Sequence, residues 1–166
     1  MKLKVCGVME AALFLDQTDH GVEAAISILD PAREDLRPRG LTSVPHVLEM
    51  AFDDVEVEDS ECLFPTLEIA QEIINFIKQT SAESWLIHCH MGKSRSTACA
   101  LALLALRSGV ATAREELLKV APRATPNVLL AKHFDQICGF NGELLSIAQD
   151  FDFQLLKQLA QVKIYN

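Results

Sequence analysis

The chain has 166 residues, 49% of them hydrophobic and 23% charged, which suits one soluble globular domain over 1–166 and excludes a disordered or fibrous chain. Its 15 Lys and Arg against 23 Asp and Glu leave a net charge of −8, the wrong sign for holding nucleic acid by phosphate neutralisation, so no nucleic-acid partner is expected. The five cysteines (Cys6, Cys62, Cys89, Cys99, Cys138) are odd in number, widely spaced and never in a Cys-x-x-Cys pair, which argues against a disulfide framework and fits a reducing, cytoplasmic compartment.

Leu3 to Val8 is a short apolar run with β-branched members and reads as a first strand. The apolar stretch around it is interrupted by Glu10 and Asp16, which does not make a signal peptide. Met9 to Asp16 predicts a short helix, and Ala24 to Leu29 a second strand closed by the turn signal Asp30-Pro31. Arginines, prolines and Gly40 make Arg33 to Pro45 a surface loop or irregular turn. Val47 to Phe52 reads as a third strand, running into an acidic edge loop with Asp53, Asp54, Glu56, Glu58, Asp59 and Glu61. Pro65 suits the start of a helix in which Leu67, Ile69, Ala70, Ile73, Ile74 and Ile77 recur at helical spacing.

A fourth strand, Ser84 to Ile87, leads into HCHMGKSRST at 88–97 and then an alanine- and leucine-rich helix ending at Gly109. Thr112 to Val120, Pro126 to Cys138 and Glu143 to Val162 read as three more helices, with Pro122 and Gly139 as breakers. The most apolar run, Ala98 to Leu106, falls far short of the ~20 residues that cross a bilayer, so no membrane association is expected.

The segment 88–97 carries the chemistry. A loop between a strand and a helix N-terminus turns backbone N–H groups inward, and the helix dipole adds partial positive charge, so an oxyanion is favoured at its centre. Gly92 lets such a loop curl, and the same field favours the thiolate form of Cys89. Arg95 offers a planar fork for two phosphoryl oxygens. Two other readings fit less well. His88, Cys89 and His90 alternate faces in an extended strand and lack further ligands, so no metal is expected. Gly92-Lys93-Ser94 suggests a nucleoside-triphosphate loop, but Ile87 stands where that motif needs its first glycine.

The run His88, Cys89, five residues, Arg95 and Ser96 resembles the signature of the protein tyrosine phosphatase superfamily, and most of all its compact dual-specificity-type, bacterial-like members. The resemblance implies an α/β fold with a central, mostly parallel sheet flanked by helices in three layers. It also implies hydrolysis of phosphate monoesters through a cysteinyl-phosphate, without cofactor or metal, on a phosphorylated protein or small phosphomonoester. Carried over by position, Cys89 is the nucleophile and Arg95 the phosphate clamp, while the backbone of His90, Met91, Gly92, Lys93, Ser94 and Arg95 lines the cradle. Ser96 assists the thiolate as leaving group and His88 orients the loop. PRATPN at 122–127 resembles a downstream family segment in which Asn127 supports the phosphate loop.

The family also uses an aspartate some thirty-odd residues before the cysteine to protonate the departing oxygen. Asp54, 35 positions before Cys89 at the end of a strand expected to lie beside the catalytic one, is favoured over Asp53, which points the other way, and over Asp59. An alternative reading is a pseudophosphatase that binds phosphorylated partners through an intact loop. A sulfur transferase also carries a cysteine in an anion-binding loop, but His88 and the Arg95-Ser96 pair argue against it.

Overall fold

The computed structural model describes residues 1–58 and 61–151. Four strands, β1 (Lys2–Gly7), β2 (Ala24–Leu29), β3 (His46–Ala51) and β4 (Ser84–Cys89), form an entirely parallel sheet in the order β1-β4-β2-β3. Helices alternate with or follow them: α1 (Val8–Leu15), α2 (Leu67–Gln79), α3 (Arg95–Ser108), α4 (Val110–Val120) and α5 (Val128–Cys138). The last expected helix is helical from 143 to 151, and the rest of it lies outside the described residues.

Burial explains the strand composition. Every residue of β2, AAISIL, is buried, as befits an interior parallel strand covered on both faces, whereas the edge strands β1 and β3 are partly exposed. One face packs Ile26, Ile28, Trp85 and Ile87 against Ile73, Ile74 and Ile77 of α2 and the apolar residues of α3. The other packs Cys6, Ala25 and Leu86 against Ala11 and Leu15 of α1, and against Leu41 and Val44. The three-layer α/β expectation holds. Helix α3 is buried continuously from Arg95 to Ala105, which accounts for its apolar character on every side.

Boundaries moved where caps decide them. Thr66 caps α2 by accepting from Ile69 N–H (3.3 Å), and Asn127 caps α5 by accepting from Leu130 N–H (2.9 Å), so that helix starts after Asn127 and not at Pro126. Helix α1 starts at Val8, which the sequence reading placed in the strand, and the loop 33–45 contains two short 3-10 turns, Pro31–Leu36 and Arg39–Ser43. One correction bears on function. The third strand does not lie beside the catalytic strand: β2 separates β3 from β4. The connection from β3 to β4 returns across β2, so β4 fills the gap between β1 and β2. A crevice at such a switch point, beyond the carboxyl ends of the strands, is where open α/β sheets bind ligands.

Candidate active site

The loop following β4 sits in that crevice. Its geometry follows from how its outer atoms are tied. His90 O accepts from Val8 N–H (3.2 Å), Lys93 O from Thr125 N–H (2.8 Å) and Ser94 O from Asn127 N–H (3.3 Å). Thr97 Oγ1 also donates to Lys93 O and Ser94 O. With these carbonyls engaged outside, the loop can turn N–H groups to its centre, and Gly92 N–H points at Cys89 Sγ (3.2 Å). Gly92 has φ +72, and a Cβ there would lie 2.3 Å from the carbonyl carbon of Cys6 and 2.4 Å from Gly7 N. Glycine is required both by the left-handed backbone and by the contact with β1.

Cys89 is 1% exposed, at the end of β4, and Ser96 Oγ in the first turn of α3 lies 3.2 Å from its sulfur. Arg95 is 2% exposed. Its Nη1 donates to Phe52 O (2.5 Å) and pairs with Asp30 Oδ1 (2.7 Å), and its Nε lies 3.7 Å from Asp54 Oδ2. Among the described residues that Nε has no hydrogen-bond partner. A buried guanidinium nitrogen without an acceptor is costly, and an oxyanion in the cradle would supply one.

Asp54 Oδ1 accepts from Ser94 Oγ (2.6 Å) and Asn127 Nδ2 (3.0 Å), and Asn127 Nδ2 also donates to Val55 O (3.0 Å). Asn127 therefore joins three elements: it caps α5, holds the acidic loop and braces the loop after β4. Asp53 faces elsewhere, accepting from Leu63 N–H (2.9 Å) across its own loop. Asp59 lies outside the described residues.

The phosphatase domain of Yvh1 from Chaetomium thermophilum superposes with a TM-score of 0.58 at 24% identity, covering 84% of this chain and 91% of that one. Human DUSP28 gives 0.53 at 19%, covering 94% of each chain. A human tyrosine phosphatase-like serine/threonine/tyrosine-interacting protein gives 0.55 at 17%, covering 74% and 80%. The chain has the dual-specificity phosphatase fold. No family model and no curated protein matches the sequence.

Within that fold, the residues singled out from the sequence converge. Cys89, Gly92, Ser94, Arg95, Ser96, Asp54 and Asn127 are linked by the contacts above, and His90, Met91 and Lys93 complete the loop. His88 lies directly beneath it, fully buried, and burial pushes its imidazole down to about 4, so it is neutral near pH 7. Burial raises the thiol of Cys6 to about 12 and pushes that of Cys99 up as well; Cys138 is half-buried, and its thiol is also raised by burial. Cys62 sits partly exposed on the acidic loop, not packed inside. No group of three or more His, Cys, Asp or Glu among the described residues is placed to hold a metal ion. None of the helices among them is long and apolar enough to cross a membrane.

Sequence reasoning missed Asp30. It read only as half of a turn signal, yet it stands at the carboxyl end of β2, the strand next to β4, with one oxygen on Arg95 and the other 4.0 Å from His90 Nδ1. Phe52 was likewise expected only as a strand residue, and its carbonyl fixes the same guanidinium. The signal for Asp30 was a carboxylate at the end of a wholly buried strand, but its meaning depended on strand order.

Proposed function

We propose that this protein is a cysteine-dependent phosphomonoesterase of the tyrosine or dual-specificity type, acting in a reducing cytoplasm through a cysteinyl-phosphate on Cys89. The observation that carries the reading is the buried Cys89 sulfur held between Gly92 N–H and Ser96 Oγ, beside a buried arginine whose Nε lacks an acceptor.

In the first step a phosphoryl group rests against the loop N–H groups and Arg95, and the Cys89 thiolate attacks phosphorus. The S–P bond forms, the P–O ester bond breaks, and the departing oxygen takes a proton from Asp54. In the second step water attacks phosphorus while Asp54 takes up its proton. The S–P bond breaks, and the released thiolate is stabilised by the Ser96 hydroxyl and Gly92 N–H. Arg95 and the N–H groups act on charge that spreads over the equatorial oxygens in both steps, which is where preorganised donors contribute most. His90 and Met91 give the loop no pair of basic side chains for a polyphosphate, which supports a protein or aryl phosphate as substrate.

The test is turnover of p-nitrophenyl phosphate with rapid-quench capture of phosphocysteine. Turnover is expected to vanish in Cys89→Ser, and activity that survives this change would refute the mechanism. A second reading, a pseudophosphatase that holds a phosphorylated partner, is favoured by one observation: Asp54 Oδ1 already accepts two hydrogen bonds, as a purely structural carboxylate would. Phosphocysteine that forms and is not hydrolysed would select it.

A further inference from the structure

A second feature of the molecule lies on the opposite side of β1 from the sheet. Strand β1 is an edge strand, and its register with β4 is fixed from Lys2 opposite Ser84 to Gly7 opposite Cys89. Lys2 N–H donates inward to Glu83 O (2.6 Å). The alternation of a parallel ladder then turns Lys4 and Cys6 inward as well, and directs the backbone N–H and C=O groups of Leu3, Val5 and Gly7 outward. They face a cavity of about 590 Å³ whose far wall is the turn after α4, at Val120–Arg123, and whose end reaches the phosphate loop at Met91–Lys93. Leu3, Val5, Val120 and Pro122 make its floor apolar.

The charge of this groove runs against that of the molecule. On a chain of net charge −8, its lining carries Lys4, Lys93 and Arg123 against a single carboxylate, Glu10. Glu10 is bound to Lys4 (2.6 Å), while Lys93 and Arg123 are exposed and make no ion pair among the described residues. A strand edge unpaired among the described residues, an apolar floor and a cationic rim together match one kind of occupant: an extended polypeptide segment that adds to the sheet through its main chain, puts apolar side chains on the floor and meets the cations with carboxylates.

We propose that the β1 groove docks an extended acidic segment of the phosphorylated protein substrate, next to the loop that takes the phosphoryl group. The identity of the occupant as substrate rests on the phosphatase reading; the groove's preference for an acidic strand does not. Docking there raises the effective concentration of the phosphorylated residue at Cys89, so its effect falls on KM and leaves the chemical step alone.

The experiment uses the full chain and a fluorescein-labelled, unphosphorylated peptide of alternating Val and Glu, followed by anisotropy, together with phosphotyrosine peptides with and without that arm. Two variants probe the two parts of the recognition. Val5→Pro removes one outward donor at a position where an edge strand tolerates proline, and Arg123→Glu reverses the charge of the rim. The expected result is micromolar binding that weakens about tenfold in each variant and falls with added salt. The armed phosphopeptide should show a lower KM in the native chain only, and p-nitrophenyl phosphate turnover should be unchanged in both variants. Circular dichroism checks that Val5→Pro folds, and Arg123→Glu decides the matter if it does not. Absence of binding, or equal binding of a Val/Lys peptide, overturns the proposal. So does a native dimer that Val5→Pro dissolves, because the edge would then belong to a second copy. Peptide binding without any phosphatase turnover would instead overturn the reading of Cys89 and leave the groove standing.

Discussion

Arg95 is held by Phe52 O and Asp30 at the same nitrogen, Nη1, which leaves Nε and Nη2 for a phosphoryl group. In the proposed mechanism Asp30 therefore positions the clamp. Asp30→Ala is expected to lower kcat/KM for p-nitrophenyl phosphate about tenfold by letting the guanidinium swing, with most of the loss restored in Asp30→Asn, which keeps an acceptor. Equal losses in the two variants would mean that charge and not orientation is at stake. Asp54 is tested separately: Asp54→Asn should slow turnover on the order of 10²-fold with KM little changed, as expected for loss of a general acid. His88 gives a prediction about stability. Its folded value, lowered by burial to about 4 from 6.5, means that the unfolded chain binds the proton more readily, so stability is full above pH 6.5 and is lost as pH falls toward 4. The loss amounts to about 3 kcal/mol, and thermal melts of the native chain and of His88→Asn should show a pH dependence in this window that is flatter in the variant.

At the level of elements, the loop after β4 is shaped by its neighbours as much as by its own residues. Its carbonyls are tied by Val8 at the start of α1 and by Thr125 and Asn127 before α5, while Gly92 rests on the end of β1. Asn127→Ala removes the α5 cap and the donors to Asp54 and Val55 together. It should cost about 1–2 kcal/mol in chemical denaturation for the cap and also reduce turnover, whereas a cap-only role would leave turnover intact. Gly92→Ala should abolish turnover, because its Cβ meets backbone atoms that cannot give way without separating the loop from β1.

Across the whole molecule, the two faces of the sheet are unequal. The face covered by α2, α3, α4 and α5 holds most of the buried apolar residues, α3 being buried there from Arg95 to Ala105, whereas the face under α1 is a small cluster around Ala11, Leu15 and Leu41. Native-state hydrogen exchange should accordingly find the amides of α1 opening at lower free energy than those of α3. Equal protection would mean that the two faces unfold as one unit. The groove beside β1 belongs to the heavily covered side, since Leu3, Val5, Val120 and Ala121 pack with the larger cluster.

Some of this was legible in the residues alone. The helical spacing of Leu67 to Ile77 and the apolar run of β2 are local signals, and local signals survive in a sequence. His88, Cys89, Gly92, Arg95 and Ser96 lie within nine consecutive positions, so the roles proposed for them rest on spacing and chemistry and not on the sheet. Strand order could not be read this way, because parallel strands pair across long crossovers and nothing in β3 says which neighbour it will have. That order alone put β2 between β3 and β4, brought Asp30 to Arg95, carried Asp54 to the loop through Ser94 and Asn127 instead of through an adjacent strand, and left β1 at the edge of the sheet among the described residues. The sequence determined the reactive loop, since its parts are contiguous; only the tertiary structure decided which distant carboxylates and which free edge surround it.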